Sequence, residues 1–511
     1  MLSKSLLSGI AAAVFMPFTA GLPQAPSYEG GIEYPATPPA VTPTSATHGP
    51  FTGTPTTTGP LTASAGITGT ALSSLPPLPA ATTYPSDGQL HDPQPAPYVP
   101  AGGLGTNGTR PVYHVQSDYD YESVALALYM EWLHYDLFTT GLHRFSDQDY
   151  IAIGLGPDVR ALFQWMADQS IGHITMLSEI LGPDAPRQCT FNYPWRTLRE
   201  WIDFCQKITR ITESTIYGLT PHLDSRPVAS LMLSSVAISA RQQLIFRQIE
   251  GLFPMPIWFQ SAIPQAWGWS LVAPFFSTCP SGQSLVWQNF PALTILNPVD
   301  PYRPGSGTSG GAGAMMNITG LGGGLSSSNL TGFPPSALCP NATGSNMTTG
   351  GTSNSPCTPG ITSSRPALTQ PGREVRLSWN ASAAGVAVGP NNEYITAGAS
   401  GPPTHVAWVS QLNVTYTALS NISPIGGGGG AGGGNQTGGG GGGGNQTTGG
   451  GGGVTMSGVT MQPDLATYSG DPAVNGTVFI ALTNSNMFVT PFDLYLLNSH
   501  VVAGPAVYQA G

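Results

Sequence analysis

The chain has 511 residues, of which 8% are charged: 16 Lys and Arg against 26 Asp and Glu, for a formal charge of −10. The few cations form no dense cluster, so there is no footprint for a phosphate backbone and no nucleic-acid partner is expected. Abundant Gly (67) and Pro (49) point to long uncharged low-complexity segments, although the chain is long enough for two or three domains and a sizeable core.

The opening stretch "MLSKSLLSGIAAAVFMPFTAGLPQAP" reads as a secretory signal over residues 1–21, with one Lys, a short apolar run and small residues near Ala20 and Gly21. Residues 22–110, rich in Pro, Thr, Ser and Gly, cannot bury enough surface to offset ordering entropy and read as a disordered stalk open to O-glycosylation. No later run reaches the roughly 18–20 apolar residues of a transmembrane span. The end, "VVAGPAVYQAG", is too short and polar for a lipid-anchor tail. The expected location is therefore extracellular or in the cell wall. Acceptor sequons for N-glycans occur at Asn107, Asn317, Asn329, Asn341, Asn346, Asn380, Asn413, Asn421, Asn435, Asn445 and Asn475. None falls between 110 and 316, as expected if that interval holds a compact helical core. Five cysteines suit an oxidising compartment, with one left over.

Residues 111–275 carry helical periodicity. Four amphipathic segments are predicted, over about 118–141, 157–182, 195–220 and 226–252, each with a seam at alternating spacings of three and four. The first gives Val124, Leu128, Glu131, Tyr135 and Phe138, which sets a glutamate inside an apolar stripe. The second gives Val159, Phe163, Met166, Ser170, His173, Leu177 and Ile180, so Ser170 and His173 are neighbours on one face. The third is less regular, with Glu213 beside Thr209 and Ile216; the fourth gives Met232, Ser235, Ser239, Gln242, Phe246 and Ile249. His222 falls in the connection between the last two, where a structural hydrogen bond is expected.

The run "FPMPIWF" then breaks the helical pattern with prolines. Trp258, Trp267 and Trp269 after it are read as core caps, with stacking on sugar rings as the other option. The first strands of a β domain are expected over 276–303, a Gly/Ser/Asn-rich glycosylated loop over 304–365, more of the β domain over 366–425, a poly-Gly loop over 426–453 and the rest of the β domain over 454–511. The strand-like runs are "SLVWQNFPALTIL", "EVRLSWNAS", "HVAWVSQLNVTYTAL", "GTVFIALT" and "MFVTPFDLYLL". In the third, Val406, Trp408, Leu412, Val414 and Tyr416 share one face while Gln411, Asn413 and Thr415 share the other. Together they suggest an antiparallel β-sandwich interrupted by two long loops, or two small β modules on either side of the glycine run.

Single glutamates on the first and third helices, with polar pairs three apart on the second and fourth, form the layout of a di-metal four-helix bundle. The chain resembles the ferritin-like domain of fungal secreted proteins, the Rds stress-response or late sexual development family. The residues that carry the likeness are "ALALYMEWLHYDLF", "QSIGHITMLSEILGP", "CTFNYPW", "DFCQKITRITESTIYGLTPHLDSRP" and, most specific, "ARQQLIFRQIEGLFPMP". It extends into the β region through "LVWQNFPALTILNP" and the final "GTVFIALTNSNMFVTPFDLYLLNSHVVAGPAVYQAG".

Carried over residue by residue, the resemblance implies that Glu131, His173 and Glu213 match di-iron ligands. Ser170, Ser239 and Gln242 stand where two glutamates and a histidine are needed. Two carboxylates cannot balance two divalent ions, and a serine hydroxyl is a poor substitute. The six are then expected to form a buried hydrogen-bond network without a metal. The alternative uses "EWLH", in which Glu131 and His134 could join His173 and Glu213 around a single iron, manganese or zinc ion. Two functions follow: a non-catalytic secreted or cell-wall glycoprotein with a stress or developmental role and wall polysaccharide or wall proteins as partners, or a metal-dependent oxidase or peroxide-handling protein. The resemblance also includes Cys189 and Cys205, which implies a disulfide between them. Outside the resemblance, Cys339 and Cys357 are expected to close the glycosylated loop, which leaves Cys279 unpaired.

Overall fold

A computed structural model describes residues 113–254, 256–299, 367–381, 384–425 and 454–511. The expected signal and stalk, both low-complexity loops, Cys339 and Cys357, and the sequons at Asn107, Asn317, Asn329, Asn341, Asn346, Asn435 and Asn445 lie outside the described residues.

Helix α1 (Asp118–Arg144) starts where Ser117, in extended backbone, accepts a hydrogen bond from the Asp120 N–H at 3.2 Å. Its first turn carries Asp118 and Asp120, which the helix dipole favours. After the short α2 (Asp147–Ala152), helix α3 (Pro157–Leu181) begins on a proline, whose missing N–H is not needed there, and stops at Gly182, where φ is 76°. Helix α4 (Leu198–Leu219) starts from a reciprocal capping box of Thr197 and Glu200, and α5 (Arg226–Ile249) follows a tight turn. In that turn His222 Nε2 lies 2.6 Å from the Phe492 carbonyl oxygen, tying the α4–α5 connection to the C-terminal region.

α1 packs on α3, α4 on α5, and α1 on α4, which closes a four-helix bundle. The seams read from periodicity are buried in α1, α3 and α5, except that Tyr135 and His173 are only half-buried. α4 is enclosed further, because α6 (Gln265–Val272) lies across its outer side. A Cβ at Gly268 would stand 2.2 Å from Thr215 Oγ1, and one at Gly218 would stand 2.0 Å from the Ile263 carbonyl oxygen. With apolar partners on one side and α6 on the other, α4 buries even Lys207, Arg210 and Glu213. That double packing explains why its apolar stripe is less regular than the others.

In chain order the strands are β1 (Thr190–Phe191), β2 (Phe276–Thr278), β3 (Leu293–Ile295), β4 (Glu374–Asn380), β5 (Ala387–Val388), β6 (Tyr394–Ile395), β7 (His405–Ser410), β8 (Asn413–Ala418), β9 (Ser420–Pro424), β10 (Thr455–Met461), β11 (Thr477–Thr483) and β12 (Val501–Gln509). Two four-stranded antiparallel sheets, ordered β3-β4-β10-β9 and β12-β11-β7-β8, face each other across Leu293, Leu377, Trp379, Trp408, Ile480 and Tyr508. β10, which follows the glycine run, pairs with β4 and β9, which precede it. The β region is therefore one sandwich and not two modules. The opposite face of the second sheet, through Ala407, Val409, Phe479 and Val507, belongs to the core of the bundle. Burial on both faces is why β11 is apolar along its length instead of alternating. Among the described residues no helix is long and apolar enough to cross a membrane.

Three sequence expectations are corrected. The run "HVAWVSQLNVTYTAL" is a hairpin, not one strand: Gln411, with φ 51°, turns the chain. Trp408 therefore faces Thr415 and Val409 faces Val414, so Val414 and Tyr416 join the bundle side while Val406 and Trp408 enter the sandwich. The run "MFVTPFDLYLL" forms no strand; Asp493 Oδ1 accepts from the Thr490 N–H and Oγ1, and the chain enters a 3-10 helix over Leu494–His500.

The third correction concerns the cysteines. β1 and β2 pair, with Thr190 opposite Thr278, and this brings Cys189 to Cys279. These two form the disulfide, at a Cα–Cα distance of 4.3 Å. Cys205 lies inside α4, fully buried, as a free thiol. Burial, with Glu250 and Asp203 nearby, pushes its pKa well above the ordinary thiol value.

Candidate site in the helical bundle

Two histidines, one from α3 and one from α1 itself, meet Glu131 of α1. Its Oε1 lies 3.3 Å from His173 Nδ1 on α3, and its Oε2 lies 3.6 Å from His134 Nδ1, one turn along α1. His134 is buried too, stacked on Phe138 with ring centroids 5.6 Å apart, and its Nε2 lies 3.4 Å from Thr212 Oγ1 on α4. His173 is less central than its helical phase suggests, with 13% of its side chain exposed.

Glu213 of α4 makes a different contact. Arg210, three residues earlier and buried, donates from Nη1 to Glu213 Oε2 at 2.8 Å. The same guanidinium reaches Gln260 Oε1 and, at 3.5 Å, Gln243 Oε1, while Gln243 Nε2 donates to the Gln206 carbonyl. On α5, Ser235 Oγ donates to the Met232 carbonyl at 2.7 Å and Ser239 Oγ to the Ser235 carbonyl at 3.5 Å. Both hydroxyls are turned back onto their own helix. Gln242 Nε2 donates to Gln169 Oε1 on α3 at 3.0 Å. Ser170 is buried beside them, 1% exposed.

The two carboxylates respond oppositely to burial. Desolvation pushes Glu131 up, but the charges and hydrogen bonds of His173 and His134 outweigh it and bring its pKa down to about 2. Burial pushes His173 down, but Glu131 outweighs it and holds the imidazole above its ordinary value. Glu213 is raised, because burial outweighs Arg210. Only its Oε2 meets the guanidinium; Oε1 is buried without a hydrogen-bond partner among the described residues.

This donor set does not fit two metal ions. Of the six positions, two offer carboxylates, one of which is held by a guanidinium, and the Ser239 and Gln242 side chains bond to protein groups. The four-residue set Glu131, His134, His173 and Glu213 is not assembled either, since Glu213 turns to Arg210 while the two histidines each meet Glu131. Among the described residues no group of three or more His, Cys, Asp or Glu is disposed to hold a metal.

A family model for a ferritin-like domain matches residues 119–252, the span of the bundle. Protein rds1 of Schizosaccharomyces pombe (strain 972 / ATCC 24843) is 40% identical over 420 residues, covering 82% of this chain and 87% of that protein. The chain belongs to the fungal Rds family of ferritin-like proteins. In this Rds protein the alignment with that relative, at 420 residues, is far longer than the bundle and so extends well past it.

Sequence reasoning missed Arg210, Thr212, Gln243, Gln260 and Gln169. The one available signal was the spacing of Arg210 and Glu213, three apart in "KITRITES", where a cation can reach a carboxylate on the same helix. Of the tryptophans, Trp267 and Trp269 are fully buried, with Trp267 Nε1 donating to Asn498 Oδ1 at 3.1 Å, whereas Trp258 is 52% exposed.

Proposed function

We propose that this Rds protein is a secreted or cell-wall glycoprotein whose ferritin-like bundle is a non-catalytic scaffold for the β-sandwich, with a role in stress or development. The observation that carries this reading is the neutralisation of each seam carboxylate by a cation of the protein itself: Glu131 by His173, Glu213 by Arg210. In a di-metal bundle such carboxylates balance the ions. Here a guanidinium that cannot lose its charge occupies one of them. Exposed acceptor positions at Asn413 and Asn421 support a glycan-bearing surface. Wall polysaccharide or other wall proteins would be its partners.

Elemental analysis tests this. Full-length protein grown with excess iron and dialysed is expected to carry well under one metal equivalent. Two irons per chain with a bridging-oxo absorption would overturn the scaffold reading. One observation favours a second reading, a single-ion oxidase or peroxide-handling site: Glu131 draws two imidazoles to itself. One tightly held iron, manganese or zinc ion, lost in both Glu131→Gln and His173→Gln, would establish that reading.

A further inference from the structure

We propose that the cleft between the first turns of α1, the turn after α3 and the loop following Cys279 binds a small primary ammonium compound on the carboxylate of Glu122. The cleft has a volume of about 200 Å³ and lies between Tyr121, Glu122, Pro186, Arg187, Gln283 and Leu285. Such a volume is below the range of drug-sized sites, so the ligand is small.

The walls are fixed before any ligand arrives. The Cys189–Cys279 disulfide joins two of them. Gln283 and Arg187 bond in both directions, Nε2 to the Arg187 carbonyl at 2.7 Å and the Arg187 N–H to Oε1 at 3.1 Å. Tyr121 Oη donates to the Asp184 carbonyl at 2.6 Å, and Tyr129 Oη to the Gln283 carbonyl at 2.5 Å.

Glu122 is only 2% exposed. Among the described residues, its carboxylate accepts one hydrogen bond, from the Val286 N–H to Oε2 at 3.3 Å. A buried carboxylate with so little compensation favours a cation that brings its own donors. Asp184 and the cation Arg187 also line the cleft, both of them exposed, so with Glu122 ionised the lining carries one net negative charge. That charge balance disfavours anions. A divalent metal would need further oxygen or nitrogen ligands, and no group of three metal-binding side chains occurs among the described residues. An ammonium has three donors and one charge, which a single carboxylate and nearby carbonyls can satisfy.

Burial, reinforced by Asp118 and opposed by the Val286 N–H, pushes Glu122 up to about 7. Tyr121, Tyr129 and Tyr394 also lie within its field and remain neutral phenols, raised by burial. Asp184 and Arg187 complete the charged groups facing the cleft. An alkylamine stays protonated throughout the neutral range while Glu122 ionises, so amine affinity should rise about tenfold from pH 6 to pH 8.

The test is calorimetric titration of the full chain with n-butylamine and, as the uncharged isostere, n-butanol, at both pH values. Butylamine is expected to bind at least about tenfold more tightly than butanol at pH 8, and about tenfold more tightly there than at pH 6. Glu122→Gln keeps an acceptor for the Val286 N–H and should abolish the preference for the amine. Equal binding of amine and alcohol, an affinity unchanged with pH, undiminished amine binding by Glu122→Gln, or no amine binding at all would each overturn the proposal. The amine/alcohol and pH comparisons use unmodified protein and decide the matter even if the variant does not fold.

Discussion

Replacing Arg210 by Met removes the cation from Glu213 while keeping an apolar stem of similar length. Arg210 is 5% exposed and Glu213 fully buried, so solvent cannot take over the lost contact. The change deletes a 2.8 Å charge-assisted bond and the contacts with Gln260 and Gln243, and it leaves a carboxylate whose Oε1 already lacks a partner. Breaking a buried pair from one side costs about 3–5 kcal/mol. Glu213 can escape by taking a proton, which caps the loss. Since its folded pKa lies above 4.5, the proton is held more tightly in the native state, and stability falls as pH rises through that interval. Losing Arg210 widens the interval, so the deficit should be greatest at neutral pH and narrow toward acid. Urea unfolding followed by tryptophan fluorescence at several pH values measures this. The double variant Arg210→Met/Glu213→Leu should recover most of the loss, because no uncompensated charge is left. A single variant within about 1 kcal/mol of wild type at neutral pH would refute the reasoning, since surface pairs behave that way and buried ones do not.

The Glu131–His173 pair has its own pH window. Glu131 is lowered from 4.5 to about 2, so its contribution is present above 4.5 and lost as pH falls toward 2. His173 is raised above 6.5, so its share is present below 6.5 and lost as pH rises through the folded value. Glu131→Gln should therefore cost most between those limits, about 3 kcal/mol, and less on either side in the same unfolding assay. Non-reducing peptide mapping should join Cys189 to Cys279, and Cys279→Ser should cost about 2–4 kcal/mol of unfolding free energy. Cys205 should ignore a thiol reagent until the protein unfolds, which a colorimetric thiol assay with and without denaturant will read. Two glycines should respond with opposite sign: Gly218→Ala meets the Ile263 carbonyl and should cost at least about 1–3 kcal/mol, as judged by thermal unfolding. Gly172→Ala on α3 meets nothing within 4 Å and should stabilise the protein by about 0.5–1 kcal/mol.

Helical phase is a local property, and it was legible. The spacing of apolar residues put Glu131 and Ser170 inside the bundle, and Ser239 and Gln242 with them, because a stripe repeating every three or four residues can bury only one face. The strand cores were legible too, "EVRLSWN" from its alternation and "TVFIALT" from its short run of β-branched and aromatic residues. Partner choice was not. Whether Glu213 turns to the seam or to Arg210 depends on how α4 is enclosed, and α6, some fifty residues downstream, helps to close its other side. Cys189 could reach Cys279 only after β1 and β2 paired across a separation of 90 residues. One left-handed residue, Gln411, put Trp408 and Tyr416, expected on one face, on opposite faces of the sheet, and periodicity carries no mark of a turn placed inside an alternating run. "TMSGVTM" and "VVAGPAVYQ" became strands because they had sheet edges to complete, β10 between β4 and β9 and β12 beside β11. Local sequence set which faces are apolar; which surface covers each face, and so which polar groups meet within it, is a contest among distant segments that only the folded chain resolves.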